Sequence, residues 1–172
     1  MGTSIVTFTN VRLAEMSDGS TSAAPNALHP RLESLLAYWF AKCGTRRMPR
    51  RSDFPVGDWE PWHRNLALFE VMQYGALRIF ECRLSGSDLV RRFGCEASGL
   101  SIDDLAGDVR AELRTNLEHA CAAAAPVIAR TAAADTIHSE LILPLCDRGT
   151  AVTALLLGSY PLEDPKTQPD RF

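Results

Sequence analysis

No stretch of this sequence is apolar for the roughly 18 residues that a membrane-spanning helix needs. Leu155-Leu156-Leu157, its densest run, gives way at once to Gly158 and Ser159. A basic region followed by a long apolar segment is also missing from the N-terminus, so no secretory signal is expected and the cytoplasm is the expected location. Excess charge of one sign is absent: the net charge is -3, which leaves no basic field to recruit nucleic acid or an anionic membrane. The five cysteines, Cys43, Cys82, Cys95, Cys121 and Cys146, are odd in number and contain no CxxC pair; they read as reduced, buried thiols. His29, His63, His119 and His138 share no HxxxH or HxH spacing, so neither a metal site nor a cofactor is expected. Ser85 and Ser98 lack a G-x-S-x-G frame, and no carboxylate pair shares one helical face beside an apolar pocket. Catalysis is therefore not expected.

What is present fits one domain of ordinary size with some extra chain: 172 residues, 46% hydrophobic and 23% charged, enough to bury a core. Its organising stretch is Leu77 to Gly99. From Leu77 to Leu84 the residues alternate as in a strand, with Phe80, Cys82 and Leu84 on one side and Leu77, Ile79, Glu81 and Arg83 on the other. Gly86 ends the strand, and Ser87 or Asp88 suits the cap of a short helix. Leu89, Val90 and Phe93 form that helix's apolar side, Arg91 and Arg92 point away, and Gly94 is placed for a left-handed cap.

Residues 1 to 27 pass from a β-prone segment into a polar linker, expected to be a loosely attached arm. A helix should begin at His29-Pro30 and end at Gly44. Residues 45 to 60 read as loop, with one helical turn from Trp59 to Arg64. Leu66 to Met72 then makes a hairpin with the organising strand. A longer helix from Gly107 should stop before Pro126, with Arg110, Glu112, Arg114 and Glu118 facing water and His119 off its apolar stripe. Three strands follow, Val127 to Ala133, Ile137 to Cys146 and Val152 to Tyr160. Pro144 inside one of them predicts a local irregularity. The last strand is apolar on both sides, which places it centrally with both faces covered. Residues 161 to 172 read as a tail, and no internal repeat is visible.

The order of these elements, two strands, short helices, a longer helix and three strands, is that of a PAS domain. The motifs sharpen it: Tyr38-Trp39, the basic run Arg46-Arg47-Met48-Pro49-Arg50-Arg51-Ser52-Asp53, then Arg83-Leu84-Ser85-Gly86, Phe93-Gly94, Ser98-Gly99, Leu141 to Leu145 and Leu155 to Gly158. Over residues 28 to 160 the chain resembles a PAS-like family of short stand-alone bacterial proteins, in which a YW helix and a basic MP-R-x-D loop precede the PAS core. Relatives usually place a second acid before the proline of that loop, whereas here Phe54-Pro55 follows Asp53 directly. The resemblance implies an α+β fold: a five-stranded antiparallel sheet with helices on its concave face and the N-terminal amphipathic helix on the other. It also implies a sensory or regulatory module of bacterial signalling that binds a small ligand or a protein partner.

A cup of that kind would be lined by Phe80, Cys82, Leu84, Phe93, Leu100, Leu105, Leu117, Cys121, Leu143, Ala154 and Leu156. The alternative is that these are simply core. Arg46, Arg47, Arg50, Arg51 and Arg83 are candidate contacts for an anionic ligand such as a nucleotide, set against a solvated loop and, for Arg83, an ion pair with Asp53 or Asp88. The stripe Leu32, Leu35, Leu36, Trp39 and Phe40 is expected to pack on the sheet and to extend to a second copy in a homodimer. A small enzyme is the third reading.

Overall fold

Proline suits the first turn of a helix, whose N–H groups lack partners anyway, and glycine suits its exit. The first helix, α1, accordingly spans Pro30–Cys43, with the His29 side chain accepting from the Arg31 N–H and Gly44 beyond its end. The computed structural model describes residues 9–10, 28–133 and 136–162. Within these, β1 (Thr9–Asn10) and α1 are followed by β2 (Leu66–Tyr74), β3 (Leu77–Ser85), α2 (Leu89–Phe93), α3 (Gly107–Ala123), β4 (Val127–Ala133), β5 (Thr136–Leu145) and β6 (Ala154–Pro161). The strands form one antiparallel sheet in the order β1-β4-β5-β6-β2-β3. Five of them are the expected ones, and the two-residue β1 adds a sixth at the edge. The rest of the expected arm, and residues 163 to 172 of the expected tail, lie outside the described residues. Between α1 and β2 the chain makes short 3-10 turns at Arg51–Asp53, Val56–Trp59 and His63–Asn65 rather than a single turn from Trp59 to Arg64.

The doubly apolar β6 separates two cores. On one face Leu32, Leu35, Leu36 and Trp39 of α1 pack with Leu66, Leu141, Leu143, Ala154 and Leu156. On the other, Leu89 and Phe93 of α2 and Leu113, Leu117 and Ala120 of α3 pack with Ala67, Phe69, Phe80, Val127, Ile142, Leu155 and Leu157. Close approach of α1 depends on Gly158: a Cβ there would lie 2.6 Å from a Leu32 methyl and 3.2 Å from one of Leu35. The stripe expected to reach a second copy is thus consumed inside the chain. Leu32, Leu35, Leu36 and Trp39 are buried, and half-buried Phe40 packs edge-on against Trp39.

Pro144 does not disturb β5, whose pairing with β6 runs unbroken from His138 to Leu145. Leu145 turns its backbone toward β6, where its carbonyl accepts from the Thr153 N–H, so Pro144 faces the other side. There β4 has already ended at the Val127–Ile142 pair. The missing donor therefore has no ladder to break, and the Pro144 carbonyl accepts from the Trp39 indole at 3.0 Å. Two residues on, the basic loop takes over as neighbour: Cys146 N–H donates to the Pro49 carbonyl and Arg51 N–H to that of Cys146.

Candidate functional site

The cup residues expected from alternation divide between the two cores. Phe80, Cys82, Phe93, Leu105 and Leu117 are buried beneath α2 and α3, with Leu100 and Cys121 packed at the margin. Leu84, Leu143, Ala154 and Leu156 face α1 instead. For Leu84 the cause is a β-bulge: Leu68 pairs with Leu84 but Phe69 pairs with Cys82, so Arg83 is an extra residue and the side chains beyond it change face. For the other three the period identifies which residues share a side, yet a strand apolar on both sides does not say which side is which. Ile142, Leu155 and Leu157 take their places in the core beneath α2 and α3.

The candidate anion contacts do not converge. Arg46 pairs with Asp53 at 2.6 Å, Arg47 donates to the Ala123 carbonyl at the end of α3 at 2.9 Å, and Arg50 is exposed, its backbone N–H rather than its guanidinium held by Asp53 at 2.9 Å. These bonds hold the Asp53 carboxyl below its usual range, the Arg50 N–H contributing most. Arg51 lies over the Trp59 ring and donates to the Phe54 carbonyl. Arg83 pairs with Glu70 and Glu81, not with Asp53 or Asp88. Arg51 and Arg83 share a hollow of about 220 Å³, and Glu70 and Asp147 face them in it.

Under α2 the sheet carries polar side chains where its centre is apolar. Cross-strand pairing places Ala129, Glu140 and Ser159 in one row, and Thr131 and His138 in the next. Both rows continue the face that buries Val127, Ile142 and Leu157. Arg92, 2% exposed, comes down on them from α2. Its Nε donates to Glu140 Oε1 at 2.7 Å and its Nη2 to Glu112 Oε1 of α3 at 3.2 Å. The Ser159 hydroxyl donates to the same Glu140 oxygen at 3.2 Å and lies 3.4 Å from His138 Nδ1. The result is a chain of contacts, His138–Ser159–Glu140–Arg92–Glu112, spanning two strands and two helices. The expectation that Arg92 and Glu112 point to water is corrected. A five-residue helix has room for one inward face, and Arg92 shares it with Leu89 and Phe93, while Val90 is the exposed one.

Burial shapes the charges of this chain. It opposes the positive charge of Arg92, but Glu140 and then Glu112 favour that charge, and the guanidinium ends above its usual range. Burial also pushes the Glu112 carboxyl up in spite of Arg92, and the His138 imidazole down, with Arg92 and Arg91 adding to the effect and Glu140 opposing it. Two carboxylates facing one guanidinium leave hydrogen-bonding capacity over. Among the described residues Glu140 Oε2 has no partner, nor has either side-chain atom of fully buried Asn116 on α3. An unpaired buried group of this kind costs ~1–3 kcal/mol.

The outer end of the chain opens into a cleft of about 610 Å³. Ser87, Asp88, Leu89, Val90 and Arg91 form one wall, and Asn65, Thr136, His138, Ser159 and Pro161 the other. Asn65 is fixed by donating to the Ser159 carbonyl at 3.0 Å, and Asp88 by Arg64 at 2.9 Å. Arg91 is exposed and has no ion-pair partner among the described residues. Gly86 seats this wall, since a Cβ would meet the His63 and Arg64 carbonyl oxygens at 2.3 Å. His138, Glu140 and Ser159 were not candidates on the sequence. The available signal was a lone acid in the apolar run of residues 139 to 145, which demands a buried cation.

The cysteines stay thiols: all five are free, and burial pushes Cys43, Cys82 and Cys121 up to about 11. Among the described residues no helix is long and apolar enough to cross a membrane, and no three His, Cys, Asp or Glu side chains cluster as metal ligands would. A PAS domain family model matches residues 27–160. Comparison with curated proteins and with solved structures gave no match.

Proposed function

The chain belongs to the PAS domain family, and from that premise we propose that this sensory or regulatory module acts by binding a small polar molecule in the cleft beside α2. One observation carries the reading. A buried carboxylate oxygen, Glu140 Oε2, is unpaired at the middle of a hydrogen-bonded chain whose outer members, Ser159 and His138, line a cleft of ligand size. A molecule seated there changes what His138 and Ser159 bond to, and through Glu140 it changes the hold on Arg92. Because Arg92 is the polar anchor of the short helix α2, occupancy of the cleft reaches the position of that helix without any chemical step.

Amide NMR with a mixed library of small acids, amides and amines tests this. Shifts confined to Asn65, Ser87, Val90, His138, Ser159 and their neighbours are expected, weakened in a His138→Gln, Ser159→Ala variant. Binding that shifts only the α1 face, or no binding, contradicts it.

A further inference from the structure

We infer that the cleft takes a small organic acid, its carboxylate held between Arg91 and His138 and its apolar body against Val90 and Pro161, and that the acid binds together with one proton. This rests on the reading of the cleft as a ligand site and adds the chemistry of the occupant.

The anion follows from the walls. Arg91 brings a guanidinium with no ion partner among the described residues to a cleft whose one acid, Asp88, is already neutralised from outside the lining by Arg64. A single unpaired cation with an acid at the rim suits one negative charge better than the two of a phosphate monoester. Val90, 39% exposed, supplies an apolar surface beside it.

The proton follows from the order of the hydrogen bonds. Arg92 Nε and the Ser159 hydroxyl both donate to Glu140 Oε1. Serine has one proton to give, so with that O–H directed at the carboxylate its oxygen accepts from His138, and Nδ1 carries the hydrogen of the neutral ring. His138 Nε2 is then a bare lone pair on a ring that lines the cleft. A carboxylate placed against a lone pair is repelled. Once Nε2 takes a proton, the ring donates to the acid and keeps its bond to Ser159.

The groups facing the ring agree with this. Burial comes first in opposing its charge; Glu140, on the same strand, favours the charge, while Arg92 and Arg91 of α2 oppose it. Glu112 of α3 lies behind Arg92, and the neighbours on β4 and β6 are Thr131 and Ser159, which do not titrate in this range. An incoming carboxylate offsets Arg91 and adds an attraction, so the proton arrives with the acid.

Isothermal titration calorimetry of the full chain separates the alternatives. The probes are monocarboxylates from acetate to octanoate and phenylacetate, each beside its amide and its amine, at pH 6 and pH 8 in two buffers of different ionisation enthalpy. The expected result is binding of at least one acid with uptake of close to one proton, and an affinity falling by up to about tenfold per pH unit across the window between the free and the bound imidazole. Arg91→Ala should weaken that acid about tenfold or more, and His138→Gln should abolish the proton uptake. An acid that binds in the wild type without proton uptake overturns the inference, whatever the variants do. Amides or amines binding where acids do not overturns the acid chemistry and leaves the cleft standing as a ligand site. No binding by any probe overturns both.

Discussion

Arg92 concentrates the energetics of the molecule at a single side chain. Removing one partner of a buried ion pair leaves the other charged and dry, which costs ~3–5 kcal/mol, whereas replacing both with apolar groups is often close to neutral. Arg92→Met should therefore destabilise the chain by about that amount in urea unfolding, and adding Glu140→Leu should restore much of it. Equal destabilisation of the single and double variants would mean that the pair is not the cause. His138 contributes a dependence on pH. Its folded-state value lies below the ordinary 6.5, so the unfolded chain binds more protons in the interval just beneath that value. Stability should be complete above about pH 6.5 and decline as the pH falls through that interval, and His138→Gln should remove the decline. Asp53, also depressed, acts only at still lower pH. Gly86 is the steric counterpart: alanine would place its methyl 2.3 Å from two carbonyl oxygens, so Gly86→Ala should lower the thermal midpoint more than Gly57→Ala, where nothing lies within 4 Å.

At the scale of elements, the ends of α1, the left-handed glycine cap of α2, the limits of β4 and the hairpin of β2 with β3 are legible in the sequence, because proline, glycine and periodicity act locally. Register is not local. The extra residue at Arg83 leaves no mark in the run of residues 77 to 84, and it turns Leu84 to α1. The face of Leu143, Ala154 and Leu156 depends likewise on which helix arrives on which side. Two substitutions test the docking of elements. Gly158→Ala brings a methyl within 2.6 Å of Leu32 and should lift α1, seen as faster hydrogen exchange of the Trp39 indole, whose partner is the Pro144 carbonyl. Ala124 ends α3 at φ 46, a left-handed position that glycine occupies more easily. Ala124→Gly should therefore raise stability slightly, by ~0.5–1 kcal/mol; a loss would mean that the Arg47 bond to Ala123 had been disturbed.

As a whole the described residues form a sheet with two apolar cores and one polar seam. Trp39 is buried in the core beneath α1, so Trp39→Glu should unfold the chain instead of merely separating copies. Circular dichroism with light scattering distinguishes the two outcomes. The seam under α2 is where the chain departs from economical packing, holding six of the seven buried polar residues among those described, Arg92, Asn116, Thr131, His138, Glu140 and Ser159; the seventh, Ser139, faces the α1 side, where its hydroxyl accepts from the His29 N–H. Such a seam stays hidden in the sequence because its members come from α2, α3, β4, β5 and β6 and meet only through the strand rows. The most direct measurement is long-range 1H–15N NMR of the His138 imidazole in the ligand-free chain. A neutral ring protonated at Nδ1 and titrating below 6.5 is the predicted result; a ring protonated at Nε2, or one titrating like an exposed histidine, would contradict the chain of hydrogen bonds from the cleft to Arg92.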